Sequence, residues 1–217
     1  MNIYELLRYV LFAAEGVAAL AGILCMKRVS GTYWKWFPVY LRTIFLTEIG
    51  AEIHYQFIGD YEVNAAIHFF FSLPLQIFFF IWLFGQVLNG RKFLVWTAGV
   101  VFFLAWLADI FFFRNTYHIF SSFSYTIGNI LLLALMVAYF LELIHSPGVV
   151  KYRQSMIFWV CLAMLLFYLG TLPFYGLYNM LSRSYPEIFN TYWIVATLLD
   201  IFMYLIFAVA LLWKEPN

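Results

Sequence analysis

The chain has 217 residues, of which 65% are hydrophobic, 23% aromatic and only 11% charged, with a formal net charge of +1. A soluble domain has about 45–50% apolar and about 25% charged residues, so this composition excludes an ordinary soluble domain. The near-zero net charge also excludes a generally basic surface for nucleic acid. At about 20 residues per membrane crossing, the length fits about seven helices and no sizeable soluble domain.

Apolar stretches of membrane-spanning length follow one another along the whole chain. The predicted spans cover residues 3–26, 37–58, 63–88, 93–113, 122–144, 156–180 and 188–213. Pro74, inside the third span, should kink it and free a carbonyl, because proline has no amide donor. We find no internal repeat and no linker that would separate domains. The prediction is therefore an all-α polytopic integral membrane protein with seven transmembrane helices, forming one domain over residues 1–217.

Lysine and arginine are concentrated in alternate connections. One set contains eight basic residues: Lys27, Arg28, Lys35, Arg91, Lys92, Lys151, Arg153 and Lys214. The opposite set contains Arg114 and Arg183, with Arg8 at the edge of the first span. Because cytoplasmic loops carry the excess of positive charge, we expect the N-terminus outside and the C-terminus inside. In a bacterium this is a multi-pass inner-membrane protein.

The second and third spans are unusually polar for membrane depth. Side chains three or four residues apart share a helix face, and such polar groups usually face a protein interior or a wet cavity. We therefore predict an outward-facing ligand pocket between these spans, lined also by spans five to seven. The residues assigned to it are Glu48, Glu52, His54, Asn64, His68, Asn129 and Asp200. For Asn129, Ser72 and Gln76 taken individually, hydrogen bonding between helices is the favoured interpretation.

Acids also lie near the middle of separate spans. Glu15, Glu48 and Asp200 fall at mid-depth in spans one, two and seven, where they could relay a proton as acid chains do in pumps. Arg42, deep in span two, is expected either to extend to the inner interface or to pair with an acid such as Glu48.

The first span shows two local patterns. Ala14, Ala18 and Gly22 recur every four residues, a spacing that lets another helix approach closely. Glu5 and Arg8, three residues apart near the start of the span, are expected to pair or to extend to the interface.

Several membrane chemistries can be tested against these residues. A retinal-binding rhodopsin is excluded, because the last span contains Asp200 but no internal lysine for a Schiff base. A metal-dependent hydrolase is not favoured, because only His54 and His68 lie inside spans and no H-E-x-x-H pair occurs. Neither a G-x-S-x-G serine elbow nor a glycine-rich phosphate loop is present. We assign no catalytic residue, cofactor or metal, and enzymatic activity is not favoured.

A sensor of a small amphipathic ligand, or another signalling membrane protein, fits the remaining features best. It needs an outward pocket with aromatic walls and a few convergent polar groups. A cytoplasmic or membrane signalling partner would be required, because the inner loops are short, and membrane lipids are the remaining partner. A proton-linked carrier is an alternative, although many carriers show repeats that are absent here. A membrane-embedded, lipid-directed hydrolase is another.

Five segments support a family resemblance: LRTIFLTEIG, NAAIHFFFSLPLQ, FSSFSYTIGNILL, FWVCLAMLLFYLGTLPFYGL and LLDIFMYLIFAVALLW, in this order along the chain. The chain resembles an uncharacterised family of seven-helix inner-membrane proteins of similar length from Bacteroidota-type bacteria. The resemblance implies membrane location and seven helices, and it implies no activity. In similar sequences the position of Asp200 is often Asn and that of His68 often Glu, which weakens any mechanism that needs a fixed charge there.

Overall fold

The computed structural model describes residues 2–59, 61–88, 90–113, 120–145, 152–213 and 215. These residues are almost entirely helical and contain no β-strand, apart from an isolated bridge between Ser155 and Glu215. The all-α part of the prediction is confirmed.

The α-helices of the described residues lie close to the predicted spans. In chain order they are α1 (Ile3–Val29), α2 (Trp36–Ile58), α3 (Tyr61–Ile67), α4 (Leu73–Val87), α5 (Lys92–Ala108), α6 (Ser122–His145), α7 (Met156–Gly176), α8 (Tyr178–Ser184) and α9 (Pro186–Trp213). A π-helical turn at His68–Ser72 joins α3 to α4, and another at Asp109–Phe113 extends α5. The sixth predicted span is interrupted, because Leu177 leaves the helical conformation (φ −104°, ψ 10°).

Among the described residues, six helical segments are long and apolar enough to cross a membrane: Ile3–Val29, Glu62–Val87, Lys92–Phe113, Ser122–His145, Met156–Gly176 and Pro186–Trp213. Large apolar side chains also cover the surface, and Phe57 and Phe93 are each 85% exposed. Such a surface is suited to lipid rather than water. The chain is therefore a multi-pass membrane protein. Helix α2 has 23 residues and is therefore long enough to cross, but it is less apolar than these six segments, because it contains Arg42, Glu48 and Glu52.

The contacts of the chain group into two compact units. Unit one comprises Met1–Asn64, Pro147–Phe167 and Ile194–Asn217, and unit two comprises Ala65–Ser146 and Tyr168–Trp193. A single domain over residues 1–217 stays a prediction.

Unit one is built on close packing of α1 against α2. A Cβ atom added to Gly22 would lie 3.0 Å from Cβ of Pro38, and Ala18 is fully buried. The close approach at Gly22 is what the spacing of small residues predicts. At the far end of α1, Arg28 donates to the carbonyls of Leu211 and Leu212 in the last turn of α9. A cation there stabilises the otherwise unsatisfied carbonyls of a helix end.

Unit two contains a comparable close approach. A Cβ atom added to Gly128 of α6 would lie 3.0 Å from Cδ1 of Ile77 in α4 and 3.2 Å from the ring of Phe102 in α5. Ile77 and Phe102 are themselves almost completely buried. The missing side chain therefore lets the three helices pack around one apolar centre.

Candidate functional site

A buried carboxyl group lies in the middle of α1. Glu15 is only 4% exposed, and its Oε2 atom has no hydrogen-bond partner among the described residues. Its neighbours Ala14 and Ala18 are also buried, so Glu15 lies on the packed face of the helix. An ionised carboxylate buried without a cation or hydrogen bonds is destabilising by several kcal/mol. A negative charge on Glu15 is therefore costly unless water or an ion from outside the chain compensates it.

Two further acids of unit one lie within electrostatic range of Glu15. They are Glu48 on α2 and Asp200 on α9, and Asp200 also interacts with Glu48. We call these three residues the carboxyl cluster. Tyr204, one turn beyond Asp200, is buried and interacts with the same three charges, and it also interacts with Tyr40, which is buried too. Repulsion between like charges in a medium of low dielectric adds to the cost of ionising all three acids.

The arginines of α1 and α2 do not neutralise Glu15. Arg8 is paired with Glu52, with 2.6 Å between Nη2 and Oε1, and Arg28 is bound to carbonyls at the end of α9. Arg42 is exposed and forms no ion pair within the described ranges, which favours its extension to the interface over a pair with Glu48. In the described part of unit one, Glu15 has no cationic partner.

Glu52, assigned to the predicted pocket, already has two partners. Besides Arg8, it accepts a hydrogen bond from Nε2 of Gln56 at 2.7 Å. Glu52 therefore links α1 to α2. The expected pair of Glu5 with Arg8 is not formed, because Glu5 instead accepts the backbone N–H of Asn2 at 3.2 Å.

His54 and Asn64 stand on either side of the turn between α2 and α3, and both belong to unit one. Each is half-buried. Nδ1 of His54 and Oδ1 of Asn64 are shielded from solvent, and neither has a hydrogen-bond partner in the described segments. Buried polar atoms without partners are uncommon and often mark a missing water or ligand.

The other predicted pocket residues, His68 and Asn129, belong to unit two. Asn129 is completely buried, and both polar atoms of its amide lack partners among the residues described. Gln76, for which bonding between helices was one interpretation, does donate to the hydroxyl of Tyr168 at 2.8 Å. Glu48, Glu52, His54, Asn64 and Asp200 lie in unit one, so a common pocket for all the assigned residues stays a prediction.

His68 begins the π-helical turn that precedes Pro74. The N–H of Leu73 donates to the carbonyl of His68, five residues earlier, and Pro74 has no N–H to offer the carbonyl of Phe69. Nε1 of Trp106 on α5 donates to that carbonyl at 3.2 Å. The proline thus produces a widened turn with an external donor, and π-helical turns of this kind are frequent at functional sites.

Asp109 is a structural residue that the sequence did not identify as such. It is completely buried, and Oδ2 accepts the backbone N–H of Ser124 at 3.0 Å and its hydroxyl at 2.5 Å. Ser124 lies in the first turn of α6, where backbone N–H groups lack helical partners. Asp109 therefore caps α6 from the end of α5.

Within the described segments, no group of three or more His, Cys, Asp or Glu side chains is arranged to hold a metal ion. The carboxyl cluster is thus close enough for electrostatic interaction without forming a metal centre.

No family model matches the sequence, and neither a curated protein nor a solved structure matches it. The resemblance to the seven-helix inner-membrane family stays a prediction. Any assignment of function must therefore be argued from the residues of this chain.

Proposed function

We propose that the protein is a proton-linked membrane carrier in which the carboxyl cluster binds and releases the coupling proton. The observation that carries this proposal is the burial of Glu15 without a hydrogen bond to Oε2 or a cation among the described residues. Proton uptake converts the carboxylate to a neutral carboxylic acid and removes the cost of a buried charge. Acids placed at membrane depth serve as proton relays in pumps and transporters.

The positions of the three acids support this proposal. Glu15, Glu48 and Asp200 lie near the middle of α1, α2 and α9. If α2 also crosses the membrane, these helices place all three acids at similar depth. A carboxyl there can accept a proton while it is open to one side and release it while it is open to the other.

The proposed topology has seven spans, with the N-terminus outside and the C-terminus inside the inner membrane. At about 1.5 Å per residue, α2 is long enough to cross a hydrocarbon core of about 30 Å. Its charged residues are tolerable at membrane depth when they face protein or water, and Glu52 has such a partner in Arg8. The distribution of lysine and arginine favours the stated orientation.

Infrared difference spectroscopy of the purified protein tests proton binding directly. We expect a buried carboxylic C=O band that titrates between acidic and alkaline buffer and disappears in Glu15→Gln. Glu142→Gln is the matched control, because Glu142 is partly exposed and is 3.3 Å from Arg91. A carboxylic spectrum that is identical in wild type and Glu15→Gln would overturn the proposal.

Proteoliposomes that contain a pH-indicator dye test the linkage to transport. Addition of a transported solute from a panel of small amphipathic compounds should change the internal pH for the wild type and for Glu142→Gln. Glu15→Gln should lose this change, because glutamine cannot exchange a proton. Solute-dependent pH changes that persist in Glu15→Gln would assign the coupling proton to another group.

A small-ligand sensor is the second candidate, and His54 and Asn64 favour it. Their shielded, unpartnered Nδ1 and Oδ1 atoms offer polar recognition in unit one. Ligand-induced thermal stabilisation across the same compound panel should fall in His54→Ala and Asn64→Ala. In a sensor this stabilisation remains in Glu15→Gln, and no proton movement accompanies ligand binding.

A further inference from the structure

A groove of about 560 Å³ runs along the exposed face of unit two between α4 and α5. Its principal side chains are Phe78, Trp82 and Gln86 from α4 and Lys92, Trp96 and Phe103 from α5. Trp96 is 76% exposed, so the groove is open to the surroundings of the protein. In a membrane protein, a groove on this kind of surface is in contact with lipid.

Polarity changes along the groove in a definite order. Gln86 and Lys92 lie where α4 ends and α5 begins, so the polar side chains are at one end. Trp82 and Trp96 each lie four residues further into their helices, which is about one turn. Phe78 and Phe103 continue the apolar walls beyond them. This sequence of cation, amphipathic aromatics and hydrocarbon parallels the headgroup, interfacial region and tail of a phospholipid.

Lys92 supplies positive charge at the polar end. It is exposed and forms no ion pair with any residue that the structure describes, whereas its neighbour Arg91 is paired with Glu142. Lys92 is also the first residue of α5. The unsatisfied N–H groups and the helix dipole at this position add to the attraction of a phosphate.

Two glycines shape the floor of the groove. A Cβ atom on Gly85 would lie 3.3 Å from Cγ1 of Val95, so α4 and α5 approach closely there. At Gly99 the nearest atom to an added Cβ is Cγ2 of Ile81, at 4.0 Å. Gly99 therefore leaves space that a side chain could fill.

We propose that this groove binds an anionic glycerophospholipid, with its phosphate at Lys92 and an acyl chain along the aromatic walls. From residue 92 to residue 103 the helix rises about 16 Å, which is close to half of the roughly 30 Å hydrocarbon core. One acyl chain of a single leaflet therefore matches the length of the groove. If the orientation proposed above is correct, this is the cytoplasmic leaflet.

Native mass spectrometry of the detergent-solubilised full chain tests the proposal with phosphatidylglycerol and phosphatidylcholine as probes. Phosphatidylglycerol should bind more tightly. Lys92→Gln should lower its affinity about fivefold, the effect of one basic residue near an anionic headgroup. Gly99→Leu should block binding by filling the groove. The variant should still fold, because leucine is more favourable than glycine in the interior of a helix. Lys27→Gln, an exposed lysine in the last turn of α1, is the charge-matched control.

The outcomes separate the proposal from its alternatives. An affinity about fivefold lower in Lys92→Gln and loss of binding in Gly99→Leu, with wild-type affinity in Lys27→Gln, support the site. Equal losses in Lys92→Gln and Lys27→Gln would show only general charge attraction and would overturn it. Equal affinity for the two lipids would overturn the preference for an anionic headgroup and assign the groove to lipid of either charge. A dimer that Gly99→Leu dissociates would assign the groove to a second copy of the chain.

Discussion

Two ion pairs with different surroundings show how burial affects the contribution of an ion pair to stability. In the pair of Arg8 with Glu52, the carboxylate side chain is 13% exposed and the N–O distance is 2.6 Å. In the pair of Arg91 with Glu142, the side chains are 44% and 34% exposed and the distance is 3.3 Å. Water and mobile ions weaken the second interaction more than the first.

Double-mutant cycles with glutamine should measure this difference. We expect a coupling energy of about 1–2 kcal/mol for Arg8 with Glu52, because loss of the arginine leaves a largely buried carboxylate. For Arg91 with Glu142 we expect less than about 0.5 kcal/mol. The measurement is the free energy of unfolding in mixed detergent micelles. Equal coupling energies would contradict the expectation that Arg8 and Glu52 interact more strongly than Arg91 and Glu142.

The chemical type of these residues is readable from the sequence, but their partners are not. Helical spacing places Glu48 and Glu52 on one face and Glu15 at mid-span, because those positions depend only on local geometry. The local pattern also suggests a pair of Glu5 with Arg8, whereas Arg8 is bound to Glu52, 44 residues away. That choice depends on the packing of α1 against α2, which the local spacing does not specify.

At the scale of a helix, Pro74 has a consequence that extends to a neighbouring element. The proline predicts a freed carbonyl within the third span, and the structure contains a π-helical turn at His68–Ser72 directly before it. The donor to the carbonyl of Phe69 is Trp106, separated from it by 37 residues. Sequence reasoning could therefore locate the disturbed backbone, whereas the side chain that stabilises it depends on tertiary packing.

Substitution of Trp106 should reveal how much this donor contributes. We expect Trp106→Phe to lower the free energy of unfolding by about 1–3 kcal/mol, because a part-buried carbonyl loses this donor. In a Pro74→Ala background the loss should be smaller, since residue 74 then has an N–H five residues beyond Phe69. Trp213→Phe, at a side chain that is 73% exposed, controls for the change of ring. If Trp106→Phe lowers the free energy of unfolding equally in both backgrounds, the contribution of the indole does not depend on Pro74, and this explanation is wrong.

At the scale of the whole molecule, α2 decides the number of crossings. In the part of the chain that the structure describes, six other helical segments are apolar enough to cross by composition, so if only these six cross, the termini lie on the same side. With α2 they lie on opposite sides. The sequence predicts seven spans from length and spacing, but hydropathy alone does not settle α2, because its polar residues are tolerable only with suitable neighbours.

Single-cysteine labelling distinguishes these topologies in intact cells. In a background of Cys25→Ala and Cys161→Ala, we expect Asn2→Cys and Ile58→Cys to react with a membrane-impermeant maleimide added outside. Ser30→Cys and Glu215→Cys should react only after permeabilisation, because the excess of lysine and arginine keeps their side of the protein in the cytoplasm. All four positions are exposed on the protein surface, so a cysteine that fails to label is protected by the membrane and not by burial within the protein.

Labelling of Ser30→Cys and Ile58→Cys from the same side would exclude a crossing by α2. Glu48 would then be displaced from the depth of Glu15, and the proposed proton relay would lose one of its three acids.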